Sequence, residues 1–143
     1  MAGASVLIVD DEKNILSTLS RALRVEDYDV DVAGNGDIAV RKLSSKAYDV
    51  LLLDVQLPDQ DGLSILRTLR EQGNDVPVIM MSGHGTIETA LEATQLGAFT
   101  FLEKPIGSER LLLALRNCLG FAHLEAENRE LKERAGATDD LLG

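Results

Sequence analysis

Short apolar runs alternate with amphipathic stretches along most of the chain. The runs predict five strands, which span residues 5–10, 28–33, 48–54, 76–81 and 98–102. The stretches between them carry apolar residues three and four positions apart, a spacing that predicts helices. Because strand and helix alternate five times, we predict an α/β fold. Its core would be a doubly wound five-stranded parallel sheet in the order 2-1-3-4-5, with helices on both faces and a C-terminal helical extension.

The last predicted helix continues past the edge of this domain. From residue 121 its apolar positions follow a heptad repeat that contains neither glycine nor proline up to residue 135. We predict a parallel coiled-coil linker over 121–136, because a polar Asn between leucine layers specifies register in two-stranded coils. The predicted dimer contacts are Phe121, Leu124, Asn128 and Leu131. Since two heptads are few, a solvated terminal helix that frays into a polar tail over 137–143 is the alternative.

Composition narrows the class of protein. At 143 residues the chain has the length of one globular domain plus an appendage. Its formal net charge of -10 argues against binding to nucleic acid or to an anionic membrane, since both require clustered Lys and Arg. No apolar run approaches the roughly 20 residues of a membrane span, and no signal-peptide pattern is present. The single cysteine, Cys118, cannot form an internal disulfide. We expect a cytoplasmic protein whose partner is another protein or a cation.

Side chains that can take part in chemistry lie at the ends of four predicted strands. Asp10 and Asp11 follow the first strand, Asp54 the third and Ser82 the fourth, and Lys104 comes just after the fifth. In the order 2-1-3-4-5 the first and third strands are neighbours, so the three aspartates are expected to converge. Adjacent carboxylates repel one another and need a cation. An all-oxygen ligand set without a His or Cys cluster suits Mg²⁺.

The same residues suit phosphoryl transfer. An ionised Asp54 beside Mg²⁺ can attack phosphorus and become an acyl phosphate, while Lys104 and the Ser82 hydroxyl supply the charge and the hydrogen bond that the new group requires. Taken alone, an Asp after a strand is usually a helix N-cap, a Ser is a cap or turn residue and a Lys is solvated. Their joint occurrence at strand ends favours the functional interpretation.

Four motifs resemble the receiver domain of bacterial two-component response regulators: VLIVDDE, LLLDVQLPDQDG, VIMMSGHG and GAFTFLEKP. They follow the order and approximate spacing of that family over roughly residues 5 to 120. The resemblance implies that Asp54 is the phosphoacceptor and that Asp11 is a direct Mg²⁺ ligand. It also implies that Asp10 acts largely through water and that the backbone carbonyl of Gln56 is a further ligand.

The resemblance also gives roles to residues after the later strands. Ser82 takes the hydroxyl position usually held by Thr or Ser, and Lys104 contacts the phosphoryl group, with a cis bond expected to Pro105. Phe101 occupies the aromatic switch position, where its ring can swing toward Ser82 but offers no phenolic hydroxyl. The alternative role of Phe101 is that of a plain core aromatic. Gln56 differs from the residue that many relatives carry and is expected to tune the lifetime of the acyl phosphate.

The segments SGHGTIETA, GAFTFLEKP and ENRELKER are similar to those of NtrC-type regulators, in which a helical linker joins the receiver to an AAA+ ATPase that activates sigma-54 transcription. This similarity implies a receiver domain over 1–120, the linker over 121–136 and the start of the ATPase domain at 137–143. The sequence contains neither a GxxxxGK[ST] nucleotide-binding motif nor a basic recognition helix. We expect a regulatory fragment without the motor or the DNA-binding domain.

The sequence therefore predicts a phosphorylation-dependent signalling switch that assists its own phosphorylation and dephosphorylation and is not an enzyme in the usual sense. The expected partners are a sensor histidine kinase or a small phosphodonor and a second copy of the chain. Two other hypotheses share some of the features. A haloacid-dehalogenase-type phosphatase uses the same residue types, but it carries a DxD pair where Asp10 and Asp11 are adjacent here, and it needs a cap domain. A pseudo-receiver would serve only as a dimerisation module.

Overall fold

The computed structural model of the chain describes residues 3–142, with the side chains of residues 3–125 and 127. Strands and helices alternate through this part of the chain, as the hydrophobic pattern predicts. The strands are β1 (Ser5–Val9), β2 (Asp29–Ala33), β3 (Val50–Asp54), β4 (Val78–Ser82) and β5 (Thr100–Glu103). The helices are α1 (Lys13–Val25), α2 (Gly36–Ser45), α3 (Gly62–Glu71), α4 (Ile87–Gln95) and α5 (Ser108–Leu142).

The strands form one parallel sheet in the order β2-β1-β3-β4-β5, which confirms the predicted fold class. The central strands β1, β3 and β4 are buried along their whole length, because helices cover both faces of the sheet. Val9 pairs with Leu53, and Ser82 pairs with Glu103. This register brings the ends of β1, β3, β4 and β5 to the same edge of the sheet, which we call the carboxyl edge.

The sheet separates two hydrophobic clusters, because successive side chains of a strand point to opposite faces. Leu51 and Leu53 of β3 pack with α2, α3 and α4 on one face, whereas Val50 and Leu52 pack with α1 and α5 on the other. Cys118 is fully buried in the second cluster, and burial raises the pKa of its thiol to about 11. The cysteine is therefore a packing residue.

Local features at the carboxyl edge determine where the helices begin. Asn35, Asp61 and Thr86 cap α2, α3 and α4, because their side chains accept hydrogen bonds from backbone N–H groups of the first turns. Gly62 starts α3 directly against β3, where a Cβ atom would collide with the backbone carbonyl oxygen of Asp54. The turn that leads away from Asp54 therefore requires glycine at this position.

The last helix leaves the domain core near residue 120. Leu111 and Leu119 are buried in the cluster formed with α1. Phe121 and Leu124 are 51% and 59% exposed, although the Phe121 ring centroid still lies 5.6 Å from that of Phe99. Beyond Leu119, both large apolar side chains of α5 that the structure describes are thus exposed.

The predicted linker lies on this helix. Because α5 is continuous to Leu142, the backbone of both 121–136 and 137–142 is helical. The side chains of Asn128 and Leu131 lie outside the described residues, so their dimer contacts stay predictions. The domain boundary at residue 120 and the assignment of 137–143 stay predictions as well. None of the helices in the described part is both long enough and apolar enough to cross a membrane.

Candidate functional site

The loops at the carboxyl edge border an open cavity of about 310 Å³. Its lining includes Asp11, Asp54, Gln56, Pro58, His84 and Lys104. Three other grooves, of about 530, 460 and 370 Å³, are larger, but of these four only the carboxyl-edge cavity is lined by three acidic side chains, Asp11, Glu12 and Asp54. The chemistry of the lining, and not the volume, therefore identifies the carboxyl edge as the candidate site.

Three carboxyl groups meet at one side of this cavity. Oxygens of Asp10, Asp11 and Asp54 all lie within 4.8 Å of one another, as the strand order predicts. Asp10 is completely buried and Asp54 is 4% exposed, whereas Asp11 faces solvent. The Glu12 N–H donates to Asp10 Oδ1 at 2.9 Å, and the Gln56 N–H donates to Asp54 Oδ1 at 3.1 Å. Backbone amides thus orient the two buried carboxylates.

Lys104 supplies positive charge to this acidic cluster. Its Nζ lies 2.6 Å from Asp10 Oδ2 and 2.9 Å from Asp54 Oδ2. The Lys104 N–H donates to the Ser82 carbonyl oxygen at 2.8 Å, and the peptide bond from Lys104 to Pro105 is cis. Within the described residues, Asp10 Oδ2 meets no further hydrogen-bond donor. The ammonium group is therefore the counter-charge on which this buried oxygen depends.

Burial and charge together set the protonation of these groups. Burial has the largest effect on Asp54 and raises its pKa; hydrogen bonds from Lys104 and the Gln56 N–H lower the pKa, the charge of Asp10 raises it, and the net change is upward. Burial has the largest single effect on Lys104 and lowers its pKa, but the hydrogen bonds to Asp10 and Asp54 and the charges of these two carboxylates together outweigh burial and raise the pKa. Lys104 is therefore charged at neutral pH.

Ser82 and Phe101 lie close together beside the cavity. Ser82 ends β4 and is buried, and its Oγ accepts a hydrogen bond from the His84 N–H at 3.1 Å. The Phe101 ring packs over Gly85, where a Cβ atom would lie 2.6 Å from two ring carbons and 3.5 Å from the Ser82 Cβ. The glycine therefore leaves the space that the ring occupies, next to the serine.

Residues 6–116 match the response regulator receiver domain family. The chain belongs to this family. Nitrogen assimilation regulatory protein NtrX of Azorhizobium caulinodans is 37% identical over 130 residues, which cover 90% of this receiver chain and 29% of NtrX. Regulatory protein AtoC of Escherichia coli is 34% identical over 128 residues, which cover 90% of this chain and 28% of AtoC.

Solved structures show the same relationship. The crystal structure of NtrX from Brucella abortus matches with a TM-score of 0.86 and 36% identity, over 94% of this chain and 30% of that one. The solution structure of the beryllofluoride-activated NtrC4 receiver domain dimer matches with a TM-score of 0.77 and 40% identity, over 81% and 96%. The receiver chain thus spans less than a third of NtrX and AtoC. These relatives confirm the predicted kinship with NtrC-type regulators and support a regulatory domain over the phosphatase hypothesis.

The acidic cluster of this receiver domain fits Mg²⁺. Its donor atoms are oxygens, and the adjacent cavity leaves room for the several waters that Mg²⁺ usually keeps. Three carboxyl groups share one ammonium, so a dication would offset the remaining repulsion. Asp10, Asp11 and Asp54 would hold the ion. Gln56 lines the same cavity, which is compatible with the carbonyl ligand that the resemblance implies.

The sequence pattern does not single out His84 and Gly85, although both belong to the site. The exposed His84 lines the cavity two positions after Ser82, and its place three positions after the fourth predicted strand is a signal that could have identified it. Gly85 ends the motif VIMMSGHG, but the motif does not reveal its role, because that role depends on the ring of Phe101, which comes from another strand. Contacts between separate segments are invisible in a local pattern.

Replacing Lys104 by Met should destabilise the domain at neutral pH by about 3 kcal/mol, because Asp10 and Asp54 would stay buried without a counter-charge. The folded variant then binds a proton at Asp54 more tightly than the unfolded chain does. Its stability should therefore rise, and the difference from wild type shrink, as the pH falls through the raised pKa of Asp54. Urea unfolding at several pH values measures both effects.

Lys13→Met is the matched control, because it removes an exposed ammonium and no partner is buried with it. Equal losses of stability in the two variants, or a loss in Lys104→Met that does not change with pH, would contradict the role assigned to Lys104.

Proposed function

We propose that this chain is a phosphorylation-dependent signalling switch of a cytoplasmic two-component system. Asp54 accepts a phosphoryl group from a sensor histidine kinase or a small phosphodonor, with Mg²⁺ held by Asp10, Asp11, Asp54 and the Gln56 carbonyl oxygen. The observation that carries the proposal is the meeting of three carboxyl groups and the Lys104 ammonium beside an open cavity. Such a domain assists its own phosphorylation and dephosphorylation but has no separate substrate.

Asp54 is the nucleophile in this proposal. A carboxylate oxygen attacks the phosphorus of the donor, the bond from phosphorus to the leaving group breaks, and the leaving group keeps the electron pair. With acetyl phosphate the leaving group is acetate. When bound, Mg²⁺ would supply positive charge that offsets the negative charge of the phosphoryl group. The Gln56 N–H holds the Asp54 carboxyl group in a fixed orientation throughout.

Lys104 and Ser82 bind the new phosphoryl group. Because Lys104 Nζ lies 2.9 Å from Asp54 Oδ2, a small movement of the side chain brings the ammonium group into contact with a phosphoryl oxygen. Ser82 Oγ accepts a hydrogen bond from the His84 N–H, so its hydroxyl proton is free to be donated to the phosphoryl group. The phosphoryl group carries about 1.5 to 2 negative charges where the Asp54 carboxylate carried one, so the Lys104 ammonium and the Ser82 hydroxyl are drawn toward it.

Phe101 carries the change to the surface. Its ring borders Ser82 through Gly85, so a movement of the serine toward the phosphoryl group opens space for the ring. Without a phenolic hydroxyl, Phe101 responds through packing alone. The surface formed by α4, β5 and α5 then rearranges. This surface exposes large apolar side chains, with Ile87 81% exposed, and contiguous exposed apolar area is typical of protein contact sites.

The output passes through α5 to a homodimer and on to a downstream AAA+ transcription-activating domain. Phe121 and Leu124 are exposed at heptad positions of α5, and the predicted register continues through Asn128 and Leu131. The related NtrC4 receiver domain is described as a dimer in its activated form. These observations support a dimeric linker whose geometry responds to the state of the receiver.

Incubation of the chain with Mg²⁺ and acetyl phosphate should add one phosphoryl group, detected by intact-protein mass spectrometry. Asp54→Asn should abolish the addition, because an amide cannot attack phosphorus, and a chelator should prevent it in the wild type. Asp75→Asn, which removes an exposed carboxyl group far from the cavity, is the control and should be labelled normally. Labelling of Asp54→Asn would contradict the proposal, and an unlabelled wild type would favour the pseudo-receiver.

Leu124→Asp should weaken dimerisation by about 30-fold, the effect of losing roughly 2 kcal/mol at a buried leucine layer. Sedimentation equilibrium measures the dissociation constant. His123→Asp places the same charge on the same helix but outside the predicted contact positions, and it should leave the constant nearly unchanged. A monomeric wild type, or equal weakening by both variants, would argue for the solvated terminal helix.

A further inference from the structure

The loop from residue 55 to 61, which we call the 55–61 loop, has two sides with different contacts. Gln56, Leu57 and Pro58 line the cavity beside Asp54. The next residue, Asp59, points the other way and reaches the start of α2, more than 20 positions earlier in the chain. One wall of the candidate Mg²⁺ site is therefore attached from behind to a helix that does not itself line the site.

The attachment consists of two hydrogen bonds to one carboxyl group. The Gly36 N–H donates to Asp59 Oδ1 at 2.8 Å, and the Asp37 N–H donates to Asp59 Oδ2 at 2.9 Å. These two bonds hold the pKa of Asp59 below its usual range, and the bond from the Gly36 N–H has the larger effect. Asn35, the residue directly before α2, caps the same helix by accepting a hydrogen bond from the Ile38 N–H at 2.8 Å. Two of the unpaired amides that begin α2 are thus satisfied by the 55–61 loop.

Close packing accompanies these bonds. Gly36 is buried, and a Cβ atom there would overlap the side chain of Gln60. At its base the loop is closed by the hydrogen bond from the Gly62 N–H to the Val55 carbonyl oxygen at 2.7 Å and by an antiparallel bridge from Gln56. The loop is therefore fixed at its base by its own backbone and at its tip by α2.

We propose that Asp59 is a positioning residue, which holds the cavity side of the 55–61 loop, and with it the Gln56 carbonyl oxygen, in the arrangement that Mg²⁺ binding requires. The inference rests on the proposed function. Asp59 contacts neither the ion nor the phosphoryl group. It acts by preorganisation, since a loop already held in place does not have to be ordered when the ion binds. Groups that orient metal ligands from outside commonly affect metal affinity for this reason.

The test is calorimetric titration of the 143-residue chain with MgCl₂, without a phosphodonor. Asp59→Ala should raise the dissociation constant of Mg²⁺ about tenfold. Asn35→Ala is the matched control, because it removes a cap from the same helix without releasing the loop. Both variants should lower the melting temperature by a few degrees, but Asn35→Ala should leave the dissociation constant within about twofold of wild type.

A second control separates geometry from charge. Asp37→Asn removes an exposed carboxyl group at the same helix start and keeps the backbone N–H that binds Asp59, so it should leave the dissociation constant of Mg²⁺ nearly unchanged. Asp59→Asn retains one acceptor oxygen and should give an intermediate constant; it also provides the measurement if Asp59→Ala does not fold. In labelling with acetyl phosphate, saturating Mg²⁺ should restore the rate of the Asp59 variants.

Equal dissociation constants for the Asp59 and Asn35 variants would overturn the inference and leave the proposed function intact. Equal weakening by Asp37→Asn would overturn it as well, because charge alone would then explain the effect. A wild-type chain that binds no Mg²⁺ would remove the proposed function and the inference together.

Discussion

Three carboxyl groups share one ammonium at the carboxyl edge, and the surrounding structure depends on how that imbalance is managed. Lys104 contacts Asp10 and Asp54, and backbone amides donate to both. Asp11 keeps contact with solvent. These contacts reduce the repulsion between the carboxyl groups without neutralising it, because three acidic groups still face a single cation. In the proposed function, the remaining negative charge would attract a dication and, through it, a phosphoryl group.

The sheet supplies the rigid frame for this arrangement. The order β2-β1-β3-β4-β5 places β1 beside β3, and burial of both strands leaves their ends little freedom. The connections that carry the site residues are less regular. Gly62 allows the chain to turn immediately behind Asp54, and Asp59 attaches the 55–61 loop to α2. A regular sheet thus fixes the buried carboxyl groups, while individual loop contacts fix the groups around them.

Much of this could be predicted from the sequence, for identifiable reasons. Buried parallel strands are continuous apolar runs, and residues that follow such runs must lie at one edge; Asp10, Asp11 and Asp54 could therefore be placed together before the structure was known. The contacts of Phe101 with Gly85 and of Asp59 with α2 could not, because each joins segments that no periodic pattern relates. The linker contacts at Asn128 and Leu131 rest on the heptad pattern alone.

The pKa of the Asp54 carboxyl group tests the central claim most directly, since that claim concerns charge at one residue. Carbon-13 NMR of labelled aspartate, followed through a pH titration with and without Mg²⁺, measures this pKa. We expect a pKa above the usual range without the ion, because the carboxyl group is buried beside Asp10. Saturating Mg²⁺ should lower that pKa clearly, because the dication favours the ionised form. An Asp54 pKa that is the same with and without Mg²⁺ would contradict the proposed site.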